Sequence, residues 1–188
     1  MSTRIYNIHW HGPFTKEQVE EIQRTSSIYE LYLLKGKKPH AKKYHYYCGE
    51  SHGRSADIRL FDDNHHIKDY RDGGIEEIWL GDITNAGQKP EAYKRDVLLT
   101  EHLLIAYLVD VFGENNVLNR NKLYYPKENI CILNQWFKGR SEELYLRTKE
   151  GSLASVIPDV IRHSYNEDEA IHQLYTADKV KHIDTWQD

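Results

Sequence analysis

Residues 27–49, SIYELYLLKGKKPHAKKYHYYCG, read as two β-strands joined by a long polar connection. Ser27 to Leu34 is rich in Ile, Tyr and Leu, side chains that suit a pleated, half-buried surface. The Lys/Gly/Pro stretch through Pro39 breaks that run, and Tyr44 to Cys48 forms a second β-prone segment stopped by Gly49. Upstream, Thr15 is followed three residues later by Gln18, with Val19 and Ile22 on one side of a helical wheel. This is a capping box opening a short helix that ends near Arg24. Downstream, Ser55 to Phe61 begins another helix, and Asp72-Gly73-Gly74 is a strong turn. Ile75 to Leu80 then reads as a third strand, and its apolar residues do not alternate, which predicts cover on both faces.

From Lys94 to Phe112 the apolar residues Val97, Leu98, Leu104, Ile105 and Leu108 recur at helical spacing, and Gly113 marks the end. Ile130 to Phe137 is a further strand, residues 167–175 read as a helix, and 179–188 as a tail. The order predicts an α+β fold, a small antiparallel β-sheet flanked by helices. Its core spans residues 27–137, with a lead-in over 1–26 and a C-terminal extension over 138–188.

At 188 residues, 39% hydrophobic and 29% charged, the chain can bury a core without disulfides or structural metal. No apolar run approaches the ~20 residues that span a bilayer, and Met1 to Ile5 lacks the apolar region of a signal peptide. Cys48 and Cys131 are too few for a disulfide framework, so reduced thiols and a cytoplasmic location are expected. The net charge of −4 does not advertise nucleic-acid binding, yet phosphates respond to local patches. Lys35, Lys37, Lys38, Lys42 and Lys43 form the densest basic run, while Glu167, Asp168 and Glu169 gather near the end. On charge alone such a lysine run is a solvated loop.

Glu101 lies on the apolar stripe of the long helix, where a carboxylate is costly to bury without a partner. It faces a polar cleft, or a nearby cation compensates it. Tyr29 and Tyr47 lie in the two strands, and Arg59 follows Tyr47 by twelve residues. Taken singly, strand tyrosines are packing residues and a lone helical arginine is a surface one.

Their order and spacing together resemble the GIY-YIG nuclease superfamily. The first motif appears as Ser27-Ile28-Tyr29 and the second as Tyr47-Cys48-Gly49, with Ser27 and Cys48 standing for the usual Gly and aliphatic residue. Arg59 in Arg59-Leu60-Phe61 matches the helix arginine, and Glu101 in Glu101-His102-Leu103-Leu104-Ile105 matches the later glutamate. The family's histidine, four residues after the arginine, falls on Asp63, so His65 or His66 takes that role. Its later asparagine is matched by Asn119, with Asn115, Asn116 and Asn134 as competitors. The resemblance implies a DNA endonuclease with one Mg²⁺ or Mn²⁺ held by Glu101 and the phosphate held by Arg59. Tyr29 then activates water, with its phenol lowered from a pKa near ~10, and Tyr47 orients water or phosphate. Lys37, Lys38, Lys42 and Lys43 grip the DNA backbone, and cutting both strands of a palindrome calls for a homodimer.

Two readings compete. His9-x-His11 would point the same way on a strand, so zinc chelation is permitted, but no Cys-x-x-Cys or His-Glu-x-x-His pattern accompanies it. Exposed, unliganded histidines are the simpler expectation there and at His65-His66. The other alternative is a catalytically degenerate nucleic-acid-binding or interaction module that keeps the fold.

Overall fold

A computed structural model describes residues 2–23, 29–51, 60, 67, 70, 74–119, 125–169 and 171–178. Seven strands follow in the order β1 (Arg4–Phe14), β2 (Leu31–Gly36), β3 (His45–Glu50), β4 (Ile75–Ile83), β5 (Ile130–Lys138), β6 (Val160–Asn166) and β7 (Ile171–Ala177). The helices are α1 (Lys16–Gln23), α2 (Pro90–Phe112) and the short α3 (Leu153–Val156). All strands join one curled sheet in the order β3-β2-β4-β1-β5-β6-β7. Every neighbouring pair is antiparallel except β1 and β5, which run parallel from Arg4 beside Ile130 to Gly12 beside Lys138.

The expected small antiparallel sheet flanked by helices is therefore overturned by a wide mixed sheet. Three unexpected strands, β1, β6 and β7, make the difference. Residues 4–14 form the strand that joins the β3-β2-β4 half to the β5-β6-β7 half. Residues 171–177, where a helix over 167–175 was expected, pair with β6 instead.

β1 alternates strictly along its middle. Tyr6, Ile8 and Trp10 are buried, while Asn7, His9 and His11 are only partly covered. The buried side meets Trp136 of β5, whose ring stacks on Trp10 at 5.7 Å and meets Trp79 edge-on at 4.9 Å. Gly81 is glycine for this reason, since a Cβ there would lie 2.6 Å from the Trp10 ring. Trp10 donates its indole N–H to Asn134 (2.8 Å), whose amide N–H in turn donates to the Pro158 carbonyl (2.9 Å). Asn134 thus fastens the two central strands to the chain entering β6.

The sheet has two apolar layers. Leu31, Leu33, Cys48, Trp79 and Trp10 pack with Val97, Leu104 and Leu108 of α2. Tyr32, Leu34, Tyr47, Ile78 and Leu80 pack on the other face with Val19 and Ile22 of α1 and with Leu60, Ile67 and Tyr70. β2 and β4 are thus covered on both sides, as the continuous apolar runs of 31–34 and 78–80 require. The capping box is present: the Thr15 N–H donates to Gln18 Oε1 (2.8 Å), and the Gln18 N–H donates to Thr15 Oγ1 (3.3 Å). α2 opens on Pro90 and closes at Gly113, whose φ of 81° turns the chain while its N–H reaches the Val109 carbonyl at 2.9 Å.

Candidate functional site

The second motif segment, Tyr47-Cys48-Gly49, lies in β3 of the β2–β3 hairpin, registered from Leu31 beside Glu50 to Gly36 beside His45; of the first, Ser27 and Ile28 lie outside the described residues and Tyr29 precedes β2. Strand alternation separates the side chains along β3. Tyr47 is 4% exposed and stacks on Tyr32 at 5.8 Å, inside the layer covered by α1. Gly49 lies under the Tyr32 ring, and a Cβ there would come within 2.3 Å of it. Packing alone accounts for that glycine.

Cys48 points the other way, into the layer covered by α2. Burial pushes its thiol well up, with further contributions from the charges of Glu101 and Glu50. Glu101, half-buried on α2, and Glu50 at the end of β3 therefore stand on the Cys48 side, opposite Tyr47. Both offer hard oxygen donors of the kind Mg²⁺ and Mn²⁺ take. Asn119 is 5% exposed and brackets Cys48: its Oδ1 accepts from the Cys48 N–H (3.1 Å), and its amide donates to the Cys48 carbonyl (2.5 Å). Its place is thus the outer edge of β3, a backbone clamp rather than a group aimed at substrate.

The lysine run divides. Lys35 is buried, donates to the Gly151 carbonyl and lies 4.3 Å over the Tyr44 ring, so it ties the hairpin to the segment before α3. Lys37 sits 4.5 Å over the same ring, and Lys38, Lys42 and Lys43 are exposed. Arg59, His65 and His66 lie outside the described residues.

Tyr29 lies outside the hairpin, packed against the same layer as Tyr47. The bend at Glu30 turns it along the sheet toward β1, and Ser51 Oγ donates to its carbonyl at 2.7 Å. There its ring lies 5.6 Å from His11, and its hydroxyl is hydrogen-bonded to Arg140 in the turn after β5. His11 in turn stacks on Phe137 at 5.3 Å, and His9 meets the same ring at 5.0 Å. Register explains the gathering: His9 stands between Asp82 of β4 and Gln135 of β5, and His11 stands beside Phe137. Glu30 closes one side, its buried carboxyl accepting from the Tyr93 hydroxyl (2.5 Å) and the Ile83 N–H (3.2 Å).

The electrostatics of this cluster run against one expectation. Burial pushes the Tyr29 phenol up, and Arg140 offsets this only in part, so Tyr29 is a hydroxyl donor rather than a ready base. Burial also lowers His9 and His11, which keeps both imidazoles neutral at pH 7. The Glu30 carboxyl is raised by burial first and by Asp82 besides. The histidines are half-buried and packed, not exposed as expected. Among the described residues no group of three or more His, Cys, Asp and Glu is arranged to hold a metal, and the zinc reading gains no support. His9-x-His11 did carry a signal in the sequence, but Arg140 and Asp82 stand in no motif and meet it only through the sheet.

No protein-family model, curated protein or solved structure matches the chain. No helix among the described residues is long and apolar enough to cross a membrane.

Proposed function

We propose that the chain is a metal-dependent endonuclease that hydrolyses phosphodiester bonds of DNA. The observation that supports this is the β2–β3 hairpin that carries Tyr47-Cys48-Gly49, with the glutamate-bearing helix packed against that strand. Mg²⁺ or Mn²⁺, held by Glu101 with Glu50 beside it, would supply a Lewis acid and a water of lowered pKa. Arg59 donates to the non-bridging phosphate oxygens through its planar fork. Lys37, Lys38, Lys42 and Lys43 hold the backbone of the duplex beside the hairpin, and a homodimer in the cytoplasm would cut both strands.

Supercoiled plasmid incubated at pH 8 with Mg²⁺ or EDTA tests the reading. Metal-dependent cutting is expected, and Glu101→Ala should lower it by at least ~10²–10³-fold, the scale of one lost transition-state contact. One observation favours the second reading, a nucleic-acid-binding or interaction module without catalysis: Tyr47 is packed away on the face opposite Glu101. Folded protein that retards DNA but leaves every substrate intact, with either metal, would establish that reading instead.

A further inference from the structure

His11 carries the observation. Its Nδ1 is buried and has no hydrogen-bond partner, and the turn after β5 is held beside it by the Gly139 N–H, which donates to the Gly12 carbonyl at 2.8 Å. A neutral imidazole donates through one nitrogen and accepts at the other. Whichever of the two roles Nδ1 carries, it goes unanswered inside the protein, an arrangement that native structures rarely leave unexplained. Around it stand two donors with different reach, the Tyr29 hydroxyl and the exposed Arg140 guanidinium, already joined to each other. Phe137 supplies a flat apolar wall against both histidines.

We infer that Tyr29, His11 and Arg140 form a phosphate-binding site, in which Arg140 and the Tyr29 hydroxyl donate to phosphoryl oxygens and His11 Nδ1 closes the third side. The protons balance in either tautomer. An Nδ1–H donates as it stands to a phosphoryl oxygen, whereas an Nδ1 lone pair accepts the P–OH of a protonated phosphate or, facing a diester, takes one proton from water and then donates it to a phosphoryl oxygen. The groups facing His11 are suited to that gain. His9 on the same strand is neutral, Tyr29 stays protonated, and Asp82 of β4 favours an imidazolium while Arg140 opposes it until the anion arrives. Glu30, behind Asp82, is already satisfied by Tyr93 and Ile83. Nothing in this site needs a metal or a cleavage step, so it stands apart from the endonuclease reading.

The test follows the histidine ring signals of the full chain by NMR in EDTA, titrating inorganic phosphate, oligothymidylate and, at matched ionic strength, acetate. His11 should shift saturably with phosphate and not with acetate. Arg140→Gln, a change in an exposed turn, should weaken the response at least about tenfold, the loss of one charge-assisted contact. Glu101→Ala should leave it unchanged. A response to oligothymidylate assigns the phosphate to a nucleic-acid backbone, and a response to phosphate alone assigns it to a free or terminal phosphate. An unmoved His11 signal, an equal response to acetate, or an Arg140→Gln chain that responds like the parent would each overturn the site. In His11→Gln the same titration is read from His9, and an unchanged response there would overturn it too. Plasmid cleavage can fail without touching any of these outcomes.

Discussion

Tyr47 and Tyr29 come from matching places in two adjacent strand segments, yet the protein uses them in opposite ways. Tyr47 is sealed between Tyr32 and the α1 layer, on a strand position whose glycine neighbour exists to admit an aromatic ring. Tyr29 stands before β2, its ring 5.6 Å from His11 of β1 and its hydroxyl within reach of the charges of Arg140 in the turn after β5 and Asp82 of β4. The difference teaches that a strand tyrosine acquires chemistry from what lies across the sheet, not from its motif. One bend at residue 30 separates the two fates.

The contrast is sharpest in stability. Tyr47→Ala removes a buried ring and should cost about 3–5 kcal/mol, read as a shift of the urea midpoint, whereas Tyr29→Ala, partly buried at the margin of the same layer, should cost less. Equal losses would erase the distinction. Next comes the clamp on the strand that carries Tyr47. Asn119→Ala strips the Cys48 peptide of both partners and should cost about 1–3 kcal/mol by the same measurement, with loss of amide protection along β3.

Acid should sharpen the comparison from the Tyr29 side. His9 and His11 are held below their ordinary pKa, so the folded chain binds fewer protons there than the unfolded one. Their contribution to stability is complete above the ordinary value near ~6.5 and is lost as pH falls toward the depressed one. The melting temperature should therefore drop between pH 7 and pH 5, and a His9→Gln, His11→Gln chain should drop less; parallel curves would remove the two histidines from the account. The smallest effect is expected of Tyr29→Phe, within about 1 kcal/mol in stability but with a weakened phosphate response at His11.

Much of the fold could be read from the chain where one periodicity dominates. The stripe of Val97, Leu104 and Leu108 located α2, and the unbroken apolar run 78–80 announced a strand covered on both faces. β1 was missed because its outward positions are histidines, neither plainly polar nor apolar, and because its parallel partner lies more than a hundred residues away. β7 was misread for a different reason. Ile171, Leu174 and Tyr175 recur at i, i+3 and i+4, a helical spacing, and only pairing with β6 reveals that they do not share a helix face. The site divides along the same line. Tyr29 and Glu101 could be picked out by residue type and place, while Arg140 and Asp82 have no local signal and reach Tyr29 only through the folded sheet.

The parallel pair at the middle of the sheet also sets the order in which the molecule can be made. A nascent chain emits β1 first, with Ile8 and Trp10 on the side that must be buried, and Trp136 that covers Trp10 follows only with β5. Pairing them means closing a loop of most of the chain, the kind of non-local contact that slows folding. Until β5 has left the ribosome the β2–β3–β4 unit can assemble alone, but the cluster around His11 cannot. Competence at that cluster is therefore a late event in folding, set by the arrival of β5.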